Sequence, residues 1–204
     1  MTTVDRPAEA PSAPIARADD ARRIPGELGT WLFIGGELLV FAVLFVAYLE
    51  VRAEQPRAFT DAQGSLSLAL GTINTVVLLT SSWLAAAVPR ALAAGDRVAA
   101  RGLVRATLAC GLLFVVLKSA EWIDKAGSGA TPASGDFFMW YFVLTGLHML
   151  HVLVGLGALL FVLRALRRQP DPAVVERDAE SAVSYWHLVD LLWVALFPLL
   201  YFVH

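Results

Sequence analysis

The chain has 204 residues, of which 57% are apolar and 17% charged, whereas an ordinary soluble domain carries roughly 45–50% and 25%. A net charge of −2 gives no electrostatic basis for binding nucleic acid, and a single cysteine excludes an intrachain disulfide. The apolar residues fall into five long blocks separated by short polar stretches, the pattern of a membrane protein rather than of one or two soluble domains.

Residues 1–24 are rich in Ala, Pro, Asp and Arg and contain no apolar core of signal-peptide length, so they read as a disordered, solvated tail. A membrane domain is expected over 25–204. Its spans are predicted at about 28–50, 66–88, 103–122, 137–163 and 181–203. Each has the ~20 residues that an α-helix needs to cross a ~30 Å hydrocarbon layer, and helices are required because lipid offers no partner to free backbone groups. The fold class is therefore all-α, a five-helix transmembrane bundle.

The first span carries Glu37 about nine residues in, roughly 13 Å past its start. A carboxyl at that depth needs a reason to be there, either holding helices together or handling protons. The second span has a polar stripe of Thr72, Asn74, Thr75, Ser81 and Ser82, residues that commonly bridge membrane helices. In the third span Cys110 reads as packing. Near its outer end Lys118, Glu121 and Lys125 stand at i, i+3 and i+7, so Glu121 can reach either lysine while the lysine stems snorkel to the headgroups; the cluster is expected to anchor the interface.

The fourth span places His148 and His151 on one face at i, i+3, at a depth comparable to that of Glu37. Two histidines and a carboxylate can ligate a metal or haem, but such a site needs more strong ligands, and an interhelical hydrogen-bond cluster is the expected reading. Glu37 is expected inside the bundle, within hydrogen-bond reach of a histidine of this span. The fifth span opens with Tyr185, Trp186, His187 and Asp190, followed by Trp193. His187 and Asp190 share a face and are expected to form a local ion pair, with Tyr185 and Trp186 in the interfacial aromatic belt. Gly35 and Gly36, Ala85 to Ala87, and Gly155 with Gly157 offer small surfaces for close helix approach.

Arg and Lys alternate between the two sides. Arg6, Arg17, Arg22 and Arg23 precede the first span; Arg90, Arg97, Arg101 and Arg105 lie between the second and third; Arg164, Arg167, Arg168 and Arg177 lie between the fourth and fifth. The other connections hold only Arg52, Arg57 and Lys125. The positive-inside rule then predicts a cytoplasmic amino terminus and an external carboxyl terminus at His204.

Several of these stretches resemble one family, subunit III of the haem-copper cytochrome c oxidases. Tyr185-Trp186-His187-Leu188-Val189-Asp190-Leu191-Leu192-Trp193 resembles its terminal signature, and Thr145 to Gly155 resembles its two-histidine helix. Glu37 within Gly36-Glu37-Leu38-Leu39-Val40-Phe41-Ala42 resembles its membrane-embedded glutamate, and Ile73 to Ser82 and Glu121-Trp122 resemble two further stretches. The resemblance runs from about Pro25 to the end and is to a short form lacking the first two of seven spans. Thr80 to Trp83 also resembles the accessory protein associated with nitric oxide reductase, a branch of the same family.

The resemblance implies a multi-pass protein of the bacterial cytoplasmic membrane that binds no cofactor itself. Its partner would be the catalytic subunit of a haem-copper oxidase, which holds haem and copper, or a nitric oxide reductase; membrane lipid is a further expected partner. No residue is expected to be catalytic. The implied role is support of proton uptake and durability in the catalytic subunit. Readings from other classes are a stand-alone membrane iron enzyme built on Glu37, Glu121, His148, His151 and His187, and a transporter.

Overall fold

The computed structural model describes residues 28–168 and 171–202, and these are almost wholly helical. The element order is α1 (Leu28–Glu54), α2 (Pro56–Gln63), α3 (Leu68–Ala93), α4 (Arg97–Gly127), α5 (Asp136–Arg168) and α6 (Pro172–Tyr201). All but α2 are long and apolar enough to cross a membrane. The tail expected over 1–24, its four arginines and His204 lie outside the described residues.

All five long helices overrun the predicted spans by several residues at one end or both, because hydropathy marks where an apolar block begins and not where a helix stops. Polar caps set several of the ends instead. Asp96 Oδ1 accepts from the backbone N–H groups of Val98 and Ala99 at 3.1 and 2.8 Å and starts α4 six residues before its apolar block. Asp171 Oδ1 accepts from Ala173 N at 3.0 Å ahead of Pro172, which sits in the first turn of α6 where its missing N–H costs nothing. Gly95, at φ +74°, makes the tight reversal between α3 and α4.

The first connection is also not a plain loop. It folds as α2, whose Phe59 is buried against the rings of Tyr48 and Phe137 at 5.6 and 5.7 Å. Gln55 Nε2 donates to Asp136 Oδ2 at 2.8 Å and Lys125 Nζ to the Ser65 carbonyl at 2.6 Å, so this connection is tied to α4 and α5.

Helices α3, α4, α5 and α6 pack in a ring, each against its neighbours, and α1 lies outside the ring against α5 and α6. The hairpins α3–α4 and α5–α6 are antiparallel, and α1 runs parallel to α6. Trp186 is the central pin. Its ring lies between two glycines, so that a Cβ on Gly111 of α4 or on Gly155 of α5 would come within 2.7 Å of it. Its indole N–H donates to Ser81 Oγ of α3 at 2.9 Å. One side chain of α6 thus locks the other three helices of the ring.

Two expectations are corrected here. Trp186 is fully buried and Tyr185 nearly so; neither is in an interfacial belt, because α6 begins thirteen residues before Tyr185. Gly35, Gly36 and Gly157 are not at close helix contacts, since a Cβ on any of them would meet nothing within 4 Å. The close approaches are at Gly71, Gly111 and Gly155, each facing an aromatic ring of α6.

Candidate functional site

Glu37 projects from α1 toward α5, and its Oε2 lies 3.0 Å from His151 Nε2. The other ring nitrogen of His151, Nδ1, lies 2.7 Å from the carbonyl of Leu147, one turn back on the same helix. A carbonyl can only accept, so Nδ1 carries a proton. The contact at Nε2 then holds one proton in either arrangement: a protonated carboxyl donating to neutral imidazole, or imidazolium donating to carboxylate. Phe41 presses edge-on against the His151 ring at 5.3 Å and fixes its plane.

The couple forms part of the wall of a cavity of about 360 Å³ between α1 and α5, lined by apolar side chains such as Phe33, Val40 and Leu150 and by Tyr185. The Glu37 side chain keeps 20% of its surface exposed and His151 only 8%, so the carboxyl is the member that meets this space. His148, one turn from His151, is fully buried, with its ring between Phe114 and Trp193 at 5.6 and 5.3 Å, and neither nitrogen has a hydrogen-bond partner. Asn74 on α3 is likewise buried with both amide atoms unpartnered. Of the expected cluster of Glu37, Asn74, His148 and His151, the structure therefore joins the first and the last by a direct bond.

The signature of α6 docks on the polar stripe of α3. Trp193 Nε1 donates to Thr75 Oγ1 at 3.0 Å, Trp186 Nε1 to Ser81 Oγ, and His187 Nδ1 lies 2.8 Å from Ser82 Oγ. These contacts descend antiparallel helices in register, so the two stretches interlock. Asp190 does not pair with His187, contrary to expectation. It is 4% exposed, and neither carboxyl oxygen has a hydrogen-bond partner among the described residues.

A third group lies toward the carboxyl ends of α4 and α6. Lys118 Nζ is 1% exposed and bonds Glu121 Oε2 at 3.1 Å, Tyr141 Oη at 3.1 Å and Tyr201 Oη at 3.3 Å. Both phenols donate to Glu121 Oε1, at 2.9 and 2.6 Å. The ammonium also stands over the rings of Tyr141 and Trp193, at 4.7 and 5.3 Å from their centres. Lys118 therefore does not snorkel to an interface: α4 continues to Gly127, and the residue points into the bundle. Tyr141 and Tyr201 were not singled out from the sequence. The signal was a tyrosine within the fourth and another within the fifth apolar block, near the depth of a lysine and glutamate at i, i+3.

Among the described residues no group of three or more His, Cys, Asp or Glu converges as a metal-ligand set. The five side chains considered for an iron site are spread over four places: Glu37 with His151, Glu121 with Lys118, His187 with Ser82, and His148 between Phe114 and Trp193.

The family model describing cytochrome c oxidase subunit III matches residues 24–204. The chain belongs to the cytochrome c oxidase subunit III family. It is 33% identical over 178 residues to a Nocardia farcinica protein named "Probable cytochrome c oxidase subunit 3", covering 86% of this chain and 87% of the relative. The "Cytochrome c oxidase subunit 3" of Corynebacterium diphtheriae is 30% identical over the same shares. That of Synechocystis is 32% identical over 177 residues, covering 85% of this chain and 73% of the relative. All the polar contacts described above fall within the matched stretch.

Proposed function

We propose that the chain is an accessory subunit of a haem-copper respiratory oxidase, packed beside a catalytic subunit that holds the haem and copper. The family match across 24–204 carries this reading. The internal chemistry supports it: most of the intramembrane polar side chains that form hydrogen bonds do so between helices, as structural groups of a scaffold do. The relatives named above carry oxidase names, which favours an oxidase over a nitric oxide reductase as the partner.

The Glu37–His151 couple is the part suited to proton handling. It holds one proton between two titratable groups, it is fixed by Leu147 and Phe41, and its carboxyl faces a cavity open toward the side of the bundle. A proton released or accepted there changes the charge of a site inside the membrane next to the subunit that consumes protons. Residues 25–204 act as the membrane domain. The amino terminus is cytoplasmic and the carboxyl terminus external, supported by the arginines at the α3–α4 and α5–α6 turns. The setting is the bacterial cytoplasmic membrane.

Deletion of the chain in its native host tests the role. The oxidase should keep its first turnovers and lose assembly yield or sustained turnover. A deletion strain whose oxidase forms and turns over unchanged would remove the reading.

A further inference from the structure

His187 has a second nitrogen that the α3–α6 interlock does not use. Ser82 holds Nδ1, which fixes the ring, and Nε2 has no hydrogen-bond partner among the described residues. The ring lines a cavity of about 280 Å³ between α1 and α6, on the side of α6 away from the Glu37 couple. Its other walls include Trp31, Ile34 and Leu38 of α1 and Ser184 and Leu191 of α6.

The rims of this groove have a helix period. On α1, Trp31, Gly35, Leu38 and Ala42 follow one another at spacings of four, three and four, and all are exposed. On α6, Ser184, His187, Leu191 and Val194 follow at three, four and three; Leu191 and Val194 are 55% and 42% exposed. Two parallel helices with such rows form a seat for a third helix crossing at a shallow angle. Gly35 and Ala42 let it approach, since a Cβ on Gly35 would meet nothing within 4 Å. Acyl chains would fill the apolar walls equally well but offer nothing to Nε2, and an unmet polar nitrogen in hydrocarbon is costly. The combination of a helical period and one oriented nitrogen selects a protein helix bearing a polar side chain.

We infer that the α1–α6 groove seats a transmembrane helix of the catalytic partner, with a hydrogen-bonding side chain of that helix meeting Nε2 of His187. This rests on the accessory-subunit reading above, and the test separates the two. A photo-crosslinking amino acid is placed at Leu191, and for comparison at Ile123, which is 73% exposed on α4. The complex is then irradiated in native membranes and isolated through a tag on this chain. The expected result is a crosslink to the catalytic subunit from position 191 and none from position 123.

Copurification of the catalytic subunit without a crosslink from 191, or with a crosslink only to lipid, overturns the groove assignment and leaves the accessory reading intact. Absence of the catalytic subunit from the isolate overturns both. His187→Leu should weaken recovery of the catalytic subunit roughly threefold to tenfold, the range for one interhelical hydrogen bond in a membrane, and His187→Gln should restore most of it. Equal recovery with Leu and Gln, from variants present in membranes at wild-type amounts, would contradict the hydrogen bond.

Discussion

Glu37 Oε2 stands 3.0 Å from His151 Nε2, and the opposite nitrogen of that ring is already committed to the Leu147 carbonyl. The bond joins α1, the least buried of the five long helices, to the ring of four, and it leaves one proton at the contact. Replacing either partner therefore has different consequences.

Glu37→Gln keeps a donor opposite His151 while removing a titratable group. Its thermal stability in detergent should stay close to wild type, and sustained turnover of the partner oxidase should fall. His151→Leu strands the carboxyl against apolar walls and should cost about 1–2 kcal/mol, in the range for an interhelical hydrogen bond in a membrane. If Glu37→Gln were as unstable as His151→Leu and turned over normally, the couple would be a structural tie with no part in proton handling.

Lys118 and Glu121 form a buried ion pair closed by two tyrosines. Removing one charge leaves the other uncompensated, so Lys118→Met or Glu121→Leu alone should destabilise by about 3–5 kcal/mol. The double replacement should cost less than either single one. Denaturant titration of the purified subunit measures all three, and additive losses would contradict the pairing.

Trp186 leaves no room beside Gly111 and Gly155. Gly155→Ala should cost about 1–3 kcal/mol by overpacking, and Gly36→Ala, whose added methyl would meet nothing within 4 Å, should be near neutral. Thermal melting of the two variants side by side checks the contrast; equal melting would mean that the Trp186 seat is not tight.

Orientation is open to a direct check. Topology reporters fused at Gly95 and at Gly127 should report the cytoplasmic and the external face respectively. The reverse pattern would invert the assignment.

The spans were legible because twenty consecutive apolar residues have few other uses, and the matched depth of Glu37 and the His148/His151 pair followed from counting along two helices. Which histidine meets Glu37 was not legible, since that depends on the rotation of α5, set by Trp186 and its flanking glycines. The helix ends were hidden for a simpler reason: Asp96 and Asp171 cap helices that run past their apolar blocks, where hydropathy gives no signal. Lys118 was misjudged because its position near the end of an apolar block fits a snorkelling lysine equally well. Only Tyr141 of α5 and Tyr201 of α6, brought together by the ring, turn it inward. The His187–Asp190 pairing failed likewise, since the serine stripe of α3 took the imidazole.

The measurement closest to the central claim is isolation of the chain from its native membranes through an affinity tag, followed by optical spectroscopy and metal analysis, beside the same chain produced alone. The account predicts haem and copper in the native isolate, in amounts matching a copurified catalytic subunit, and a colourless, metal-free protein when the chain is made alone. Stoichiometric haem or iron in the chain by itself, or a native isolate without a catalytic subunit, would contradict it.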